Sequence, residues 1–177
     1  MLRPLKKEDA PLMLEWMHDP RVGAKLAADF EHMTLEDCLR FIKQSAAEEP
    51  NLNRAVCGED GEYLGTISLK NIDKKNSNAE YAVCMRSKAH GTGMALSATD
   101  DILDIAFHTL GLHRVYLCVF AKNERAVNFY KKYGFVYEGT FREHGISKEN
   151  PGAYNDTLWF SILKSEYEEK MAKRKSR

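Results

Sequence analysis

Apolar positions along this chain follow two rhythms. In the first quarter, Leu12, Leu14, Trp16 and Met17, and then Leu35, Cys38, Leu39 and Ile42, return at helical intervals. Asp9 is placed to cap the first helix and Asp19-Pro20 to stop it. Thr34 and Asp37 open the second helix in an acidic variant of the capping-box spacing, and Glu48-Glu49-Pro50-Asn51 ends it. Residues 2–6 supply a short first strand. From Asn53 the rhythm shortens to β-like runs at 54–57, 63–72 and 79–85, separated by turn chemistry at Glu59-Asp60-Gly61 and at 73–78. This pattern predicts an antiparallel meander. Gly91-Thr92-Gly93 then leads into a long helix through about Leu110, a strand at 114–120 and a helix at 124–133. Two closing strands, 135–143 and 153–163, are rich in aromatic and β-branched residues.

This order predicts one mixed α/β (α+β) domain over residues 1–165, followed by a charged tail at 166–177. A chain of 177 residues buries roughly 70% of its extended surface in one domain of this size. The tail's Lys170, Lys173, Arg174, Lys175 and Arg177 read as a frayed, solvated helix end, with attraction to an anionic surface as the alternative. The 26 basic and 26 acidic residues cancel, so no overall charge draws nucleic acid. The first residues lack the apolar core of a signal peptide, and no stretch approaches ~18 uninterrupted apolar residues. A soluble cytoplasmic protein, with neither nucleic acid nor membrane as partner, is expected. Cys38, Cys57, Cys84 and Cys118 are widely spaced within predicted elements and read as reduced core thiols. The six histidines show no metal-binding spacing, and no metal is expected.

Candidate chemistry concentrates in Lys88-Ala89-His90-Gly91-Thr92-Gly93-Met94-Ala95, between a strand and a helix. Glycines there let the backbone turn sharply, while a new helix presents its unpaired N–H groups and positive dipole end, which suits a pyrophosphate. Lys88 adds a point charge. A Walker A loop needs Gly-Lys-Ser/Thr, which is absent, and a dinucleotide fingerprint needs a small residue where Leu96 stands. A lone Gly-x-Gly is a weak signal, and a plain strand-to-helix turn stands beside the anion-site reading.

The second signal runs from Asn123 through Ala126, Asn128, Phe129, Tyr130 and Tyr133 to Gly134-Phe135. An amphipathic helix with a glycine stop explains its apolar spacing. It does not explain the Asn directly after a strand or the phenol among core positions. Together the two segments resemble the signature of the GNAT acetyltransferases, Gln/Arg-x-x-Gly-x-Gly/Ala followed by Asn-x-x-Ala-x-x-x-Tyr-x-x-x-Gly-Phe. The second half matches at every stated position; in the first, Lys88 replaces the usual Gln or Arg. The element order also resembles this family, particularly its ribosomal-protein N-terminal, spermidine (diamine) and amino-sugar branch.

The resemblance implies a central mixed, mostly antiparallel sheet of about seven strands with flanking helices, splayed between the fourth and fifth strands to admit acetyl-CoA. It implies pantetheine along Val83, Cys84 and Met85, and pyrophosphate on His90, Gly91, Thr92, Gly93, Met94 and Ala95 with Lys88 beside them. It further implies cosubstrate contacts from Asn123 and Asn128, and the Tyr130 phenol near the thioester sulfur. Amine attack needs a neutral nitrogen, and an alkylammonium with pKa near ~10.4 costs about 4–5 kcal/mol to deprotonate at pH 7. Glu80, on the strand entering the loop, is the first candidate base; an ion pair is its structural alternative. Tyr130 is the candidate acid for the departing thiolate, with pure packing as its alternative. The N–H groups of Val83 and Cys84 are candidate donors to the oxyanion. An acyl-Cys84 intermediate needs an activating base, and no Cys/His/Asn constellation supplies one.

The activity implied is direct acetyl transfer to a primary amine in a ternary complex; the alternative is a non-catalytic acetyl-CoA sensor or assembly module. The acceptor is a polyamine, an amino sugar or a protein N-terminus, bound between residues 17–49 and the closing strands around 138–156. Asp29, Glu31, Glu36 and Asp37 offer carboxylates to a polyamine, with plain solvent-facing helix acids as the alternative, whereas Arg142 and His144 suit an anionic acceptor. A homodimer is left open.

Overall fold

Seven strands form one sheet in the order β1-β2-β3-β4-β5-β7-β6, in a computed structural model that describes residues 1–23, 26, 30–47, 49–148, 150 and 152–176. The strands are β1 (Leu2–Arg3), β2 (Leu52–Cys57), β3 (Tyr63–Asp73), β4 (Asn78–Met85), β5 (Arg114–Phe120), β6 (Val136–Ile146) and β7 (Tyr154–Leu163). All neighbours pair antiparallel except β4 and β5, which run parallel. The helices are α1 (Ala10–Met17), α2 (Pro20–Gly23), α3 (Leu35–Ser45), α4 (Met94–Asp104), α5 (Glu124–Tyr133) and α6 (Lys164–Lys175). The mixed sheet and flanking helices are as the sequence predicts.

The strands' alternation sends side chains to two cores. On one side Ile67, Leu69, Ala79, Tyr81, Val115, Leu117, Phe160 and Ile162 pack with Ile102 and Leu103 of α4, Val127, Tyr130 and Tyr133 of α5, and Tyr167 of α6. On the other, Ala55, Cys57 and Tyr63 meet Ala10, Met13 and Trp16 of α1 and Cys38 and Ile42 of α3. The Trp16 indole N–H donates to the buried Tyr63 hydroxyl at 3.0 Å, so this core holds its polar atoms in pairs.

Local signals resolve differently. Thr34 and Asp37 form the expected capping box on α3. The Asp9 carboxylate, by contrast, does not cap α1: it turns back to Arg3, at 2.7 Å, and to the Lys6 N–H, at 2.8 Å. The long helix after the glycine loop is α-helical only to Asp104 and finishes as a π turn over Ile105–Thr109. Of the residues read as a charged tail, 166–175 lie within α6, whereas Arg177 lies outside the described residues: Tyr167 is buried, its hydroxyl donates to the Asp100 carbonyl, and Arg174 pairs with the Asp100 carboxylate. The 165/166 boundary thus falls inside this helix. Cys38 and Cys57 are core thiols, Cys84 is half-buried, and Cys118 is exposed, against the expectation of four core thiols; its alternation on β5 points it away from buried Leu117.

Candidate active site

The middle of the sheet is where pairing fails. β4 and β5 share register only at Asn78–Arg114, Ala79–Val115 and Glu80–Tyr116. Beyond that, Tyr81–Met85 and Leu117–Phe120 diverge, each still paired on its outer side, to β3 and β7. The opening therefore lies between two strand edges and includes Val83, Cys84 and Met85.

β4 runs into the glycine loop. Gly91 and Gly93 hold φ of 79° and 82°, the left-handed region that favours glycine. A Cβ built on either meets no atom within 4 Å, so the space above the loop is open. The N–H groups of Gly91, Thr92 and Gly93 make no hydrogen bond to the described residues, and α4 begins at Met94 with Ala95 in its first turn. Exposed, unpaired donors at a helix start are suited to an anion. The Thr92 hydroxyl donates to the Ala89 carbonyl at 2.8 Å and fixes the turn.

The cations near the loop are committed unevenly. Lys88 Nζ sits 2.5 Å from Glu62 Oε2, so its charge is compensated by a carboxylate and is not the free point charge expected of it. Arg86, 8% exposed at its side chain, pairs with Glu15 and Glu62, both at 2.7 Å. It thereby ties the end of β4 to α1 and β3.

α5 brings the second segment to the opening. Asn123 is its N-cap and accepts from the Ala126 N–H at 3.3 Å, so its side-chain oxygen serves the helix. Gly134, at φ of 112°, stops it. Asn128 faces solvent on the outer side of α5. Tyr130 points inward, 7% exposed, with its ring against Tyr81, Phe129, Phe135 and Phe160. Its hydroxyl makes no hydrogen bond to the described residues. Burial, and then the neighbouring Cys84 and Cys118, raise its pKa above the ordinary phenol value. Tyr81, whose ring it meets, is the first β4 residue beyond the pairing with β5, so Tyr130 lies beside the opening, protonated at neutral pH.

Glu80 stands where the opening begins. Its Oε1 accepts from Lys70 Nζ at 2.6 Å and its Oε2 from Asn71 Nδ2 at 3.1 Å. The ion-pair alternative for Glu80 is thus physically present, yet each carboxylate oxygen keeps a further lone pair. Burial pushes the Cys84 thiol up to about 12, which disfavours the thiolate that an acyl-cysteine route needs. His90 is close to the loop but engaged with Met85 O and Arg125.

Sequence reasoning missed Tyr116, Cys118 and Arg125. The first two sit on the Glu80 side of the sheet, and their intermediate and exposed positions alternate with buried Val115 and Leu117, the signal that could have found them. On the acceptor side, Asp37 is spent on Thr34 and Arg40, and Glu138 on Arg114 and the Ser161 hydroxyl. Asp156 accepts from the Glu143 N–H. Glu31 and Glu36 are exposed, as are Arg142 and His144, while Asp29 lies outside the described residues. Among the described residues no three His, Cys, Asp or Glu side chains converge on a metal site, and no helix is long and apolar enough to cross a membrane.

Open space over two glycines and, among the described residues, unpaired loop donors, two unpaired strand edges and an unpartnered phenol together fit a ligand that joins phosphates to a peptide-like arm, as acetyl-CoA does. Comparison with known proteins agrees. The model of the acetyltransferase (GNAT) domain matches residues 1–136. The spermidine N(1)-acetyltransferase of Escherichia coli K12 is 27% identical over 178 residues, covering 94% of this chain and 87% of its own. An uncharacterized N-acetyltransferase, p20, of Bacillus licheniformis is 27% identical over 169 residues, covering 94% and 93%. In fold, the chain matches a spermidine N-acetyltransferase from Vibrio cholerae, solved in complex with CoA and spermine, with a TM-score of 0.85 at 23% identity over 94% of this chain and 96% of that one. The chain belongs to the GNAT acetyltransferase family and is an N-acetyltransferase whose cosubstrate is acetyl-CoA.

Proposed function

We propose that the protein transfers the acetyl group of acetyl-CoA directly to a primary amine within a ternary complex, with a polyamine as the first acceptor to test. The observation that carries this reading is the buried Tyr130 phenol beside the opening of the sheet, without a hydrogen-bond partner among the described residues. The amine nitrogen attacks the thioester carbonyl, and the N–H groups of Val83 and Cys84 are the proposed donors to the oxygen that gains charge. Collapse breaks the carbon–sulfur bond, and Tyr130 gives its proton to the departing sulfur. Pantetheine lies along Val83 to Met85, and the phosphates on His90 to Ala95. Asn123 acts by holding the start of α5.

Glu80 is the proposed acceptor of the amine's proton, directly or through a water. Lys70 and Asn71 orient its carboxylate and leave lone pairs for the incoming ammonium. The polyamine choice is supported by the spermidine N(1)-acetyltransferase among the relatives that span nearly the whole chain. Exposed Glu31 and Glu36 add negative charge on the side of α1 and α3. Incubation with acetyl-CoA and a panel of spermidine, an amino sugar and a peptide with a free N-terminus, read by thiol release and product mass, tests it. Release with spermidine above the other two supports the reading. Thiol release with none, although acetyl-CoA binds, leaves a cosubstrate sensor and overturns it.

A further inference from the structure

Four cations surround the glycine loop, and three of them face carboxylates. Lys88 is paired with Glu62, Arg86 with Glu15 and Glu62, and Arg21 with Asp19. Arg21 also donates to the Ser87 hydroxyl at 3.0 Å. The fourth, Arg125 in the first turn of α5, has no carboxylate partner among the described residues. Its guanidinium lies against His90 at the head of the loop, with Nη1 2.6 Å from Nδ1 and Nη2 3.0 Å from Nε2.

His90 is a partner that leaves the charge of Arg125 intact. With the Nε2 proton donated to the Met85 carbonyl, 3.2 Å away, the Nδ1 lone pair accepts from Arg125 Nη1, and the Nη2 contact to the protonated Nε2 is not a hydrogen bond. Burial, and then Arg125 itself, hold the ring's pKa below the ordinary histidine value, so the imidazole accepts without adding a second cation. A guanidinium has five N–H donors in a rigid fork. One is satisfied by Nδ1, and others remain at the mouth of a loop whose Gly91, Thr92 and Gly93 N–H groups are unpaired among the described residues.

We infer that Arg125 is the side chain that pairs with the diphosphate of the cosubstrate, with His90 holding its guanidinium over the glycine loop. The assignment rests on reading that loop as the diphosphate site. It moves the charge contact from the position of the first signature half, where Lys88 is neutralised, to the second, 35 residues further from His90 along the chain. A planar fork on a phosphate is bidentate and charge-assisted, which a lysine cannot reproduce.

Three probes separate the possibilities by titration calorimetry and kinetics: acetyl-CoA, 3′-dephospho-CoA, which keeps the diphosphate, and S-acetylpantetheine, which has no phosphate. Arg125→Gln should raise Kd about 10- to 100-fold for both diphosphate ligands alike, the range for a charge-assisted contact. It should flatten the salt dependence of binding and leave kcat/KM with S-acetylpantetheine within about twofold of wild type. Arg125→Lys should recover part of the affinity, and Lys88→Gln should weaken binding less than Arg125→Gln does. Unchanged affinity in Arg125→Gln overturns the assignment. A loss confined to acetyl-CoA, with dephospho-CoA unaffected, overturns it in favour of the 3′-phosphate, and an equal loss with S-acetylpantetheine reduces Arg125 to a support for the loop. Wild type that binds neither CoA ligand would refute the cosubstrate site itself, a result distinct from all of these.

Discussion

Replacing Tyr130 by Phe isolates the chemistry of the phenol from its packing. The ring fills a site bounded by Tyr81, Phe129, Phe135 and Phe160, and Phe retains that contact. The hydroxyl has no hydrogen-bond partner among the described residues, so its removal strands no buried donor or acceptor there. Stability should therefore stay within about 0.5 kcal/mol of wild type by denaturant titration. If the phenol protonates the departing thiolate, kcat should fall by about 10²–10⁴, the usual range for a general acid, which is about 2.7–5.4 kcal/mol of barrier. Acetyl-CoA affinity, followed by thermal shift, should change little. Burial first, and Cys84 and Cys118 after it, raise the phenol's pKa, so this acid remains protonated and imposes no alkaline fall in wild-type kcat below about pH 10. Single-turnover thiol release across pH 6 to about pH 10 gives both readings. A Phe variant with near wild-type kcat would refute the acid role; one that loses acetyl-CoA affinity with kcat intact would make Tyr130 a binding residue.

Gly91→Val should abolish the thermal shift given by acetyl-CoA, because φ of 79° disfavours a β-branched residue and the added side chain enters the open space above the loop; a retained shift would leave the loop as a plain turn. Glu80→Gln should slow transfer mainly below about pH 8 and recover partly above it, as the free amine fraction rises; a pH-independent loss would limit Glu80 to its ion pair with Lys70. Asp9→Asn should cost about 1–3 kcal/mol at neutral pH, since it weakens a charge-assisted pair with Arg3. Although burial pushes the Asp9 carboxyl up, Arg3 and the Lys6 N–H hold it below its ordinary value. Its contribution is thus present above the unfolded value and lost as pH falls through the lower folded one. The stabilities of the two proteins should therefore begin to draw together as pH falls below about 4, and a constant difference across pH would disprove the electrostatic origin.

What was legible in the sequence was local. β5 and α5 fall where 114–120 and 124–133 were predicted, because Asn123 and Gly134 mark both ends of α5 within one short segment. The sheet's splay followed from the family signature. The side-chain pairings did not, because they join distant positions: Lys88 with Glu62, Glu80 with Lys70 and Arg125 with His90. Charge counting saw Lys88 as a lone cation and Lys170 as part of a solvated helix end. The fold instead supplies Glu62 to the first and the Tyr133 ring to the second, with Lys170 Nζ 2.9 Å from the centroid, while Lys173, Arg174 and Lys175 are exposed as read. Asp9 misled for the opposite reason: a cap residue by type and place, it is drawn to the stronger donor, Arg3.

A sheet that parts in its middle has four edges where an intact one has two. β1 and β6 are the outer pair, and Tyr81–Met85 and Leu117–Phe120 form the inner pair. Exposed edges invite other chains to add a strand and so begin aggregation. The inner pair converges on Glu80 and Tyr116, which are still in register, so the cleft tapers to a closed end. A strand adding to one inner edge would have to run into that taper and end there. The same wedge that admits a thioester arm therefore protects the resting enzyme from its own unsatisfied backbone.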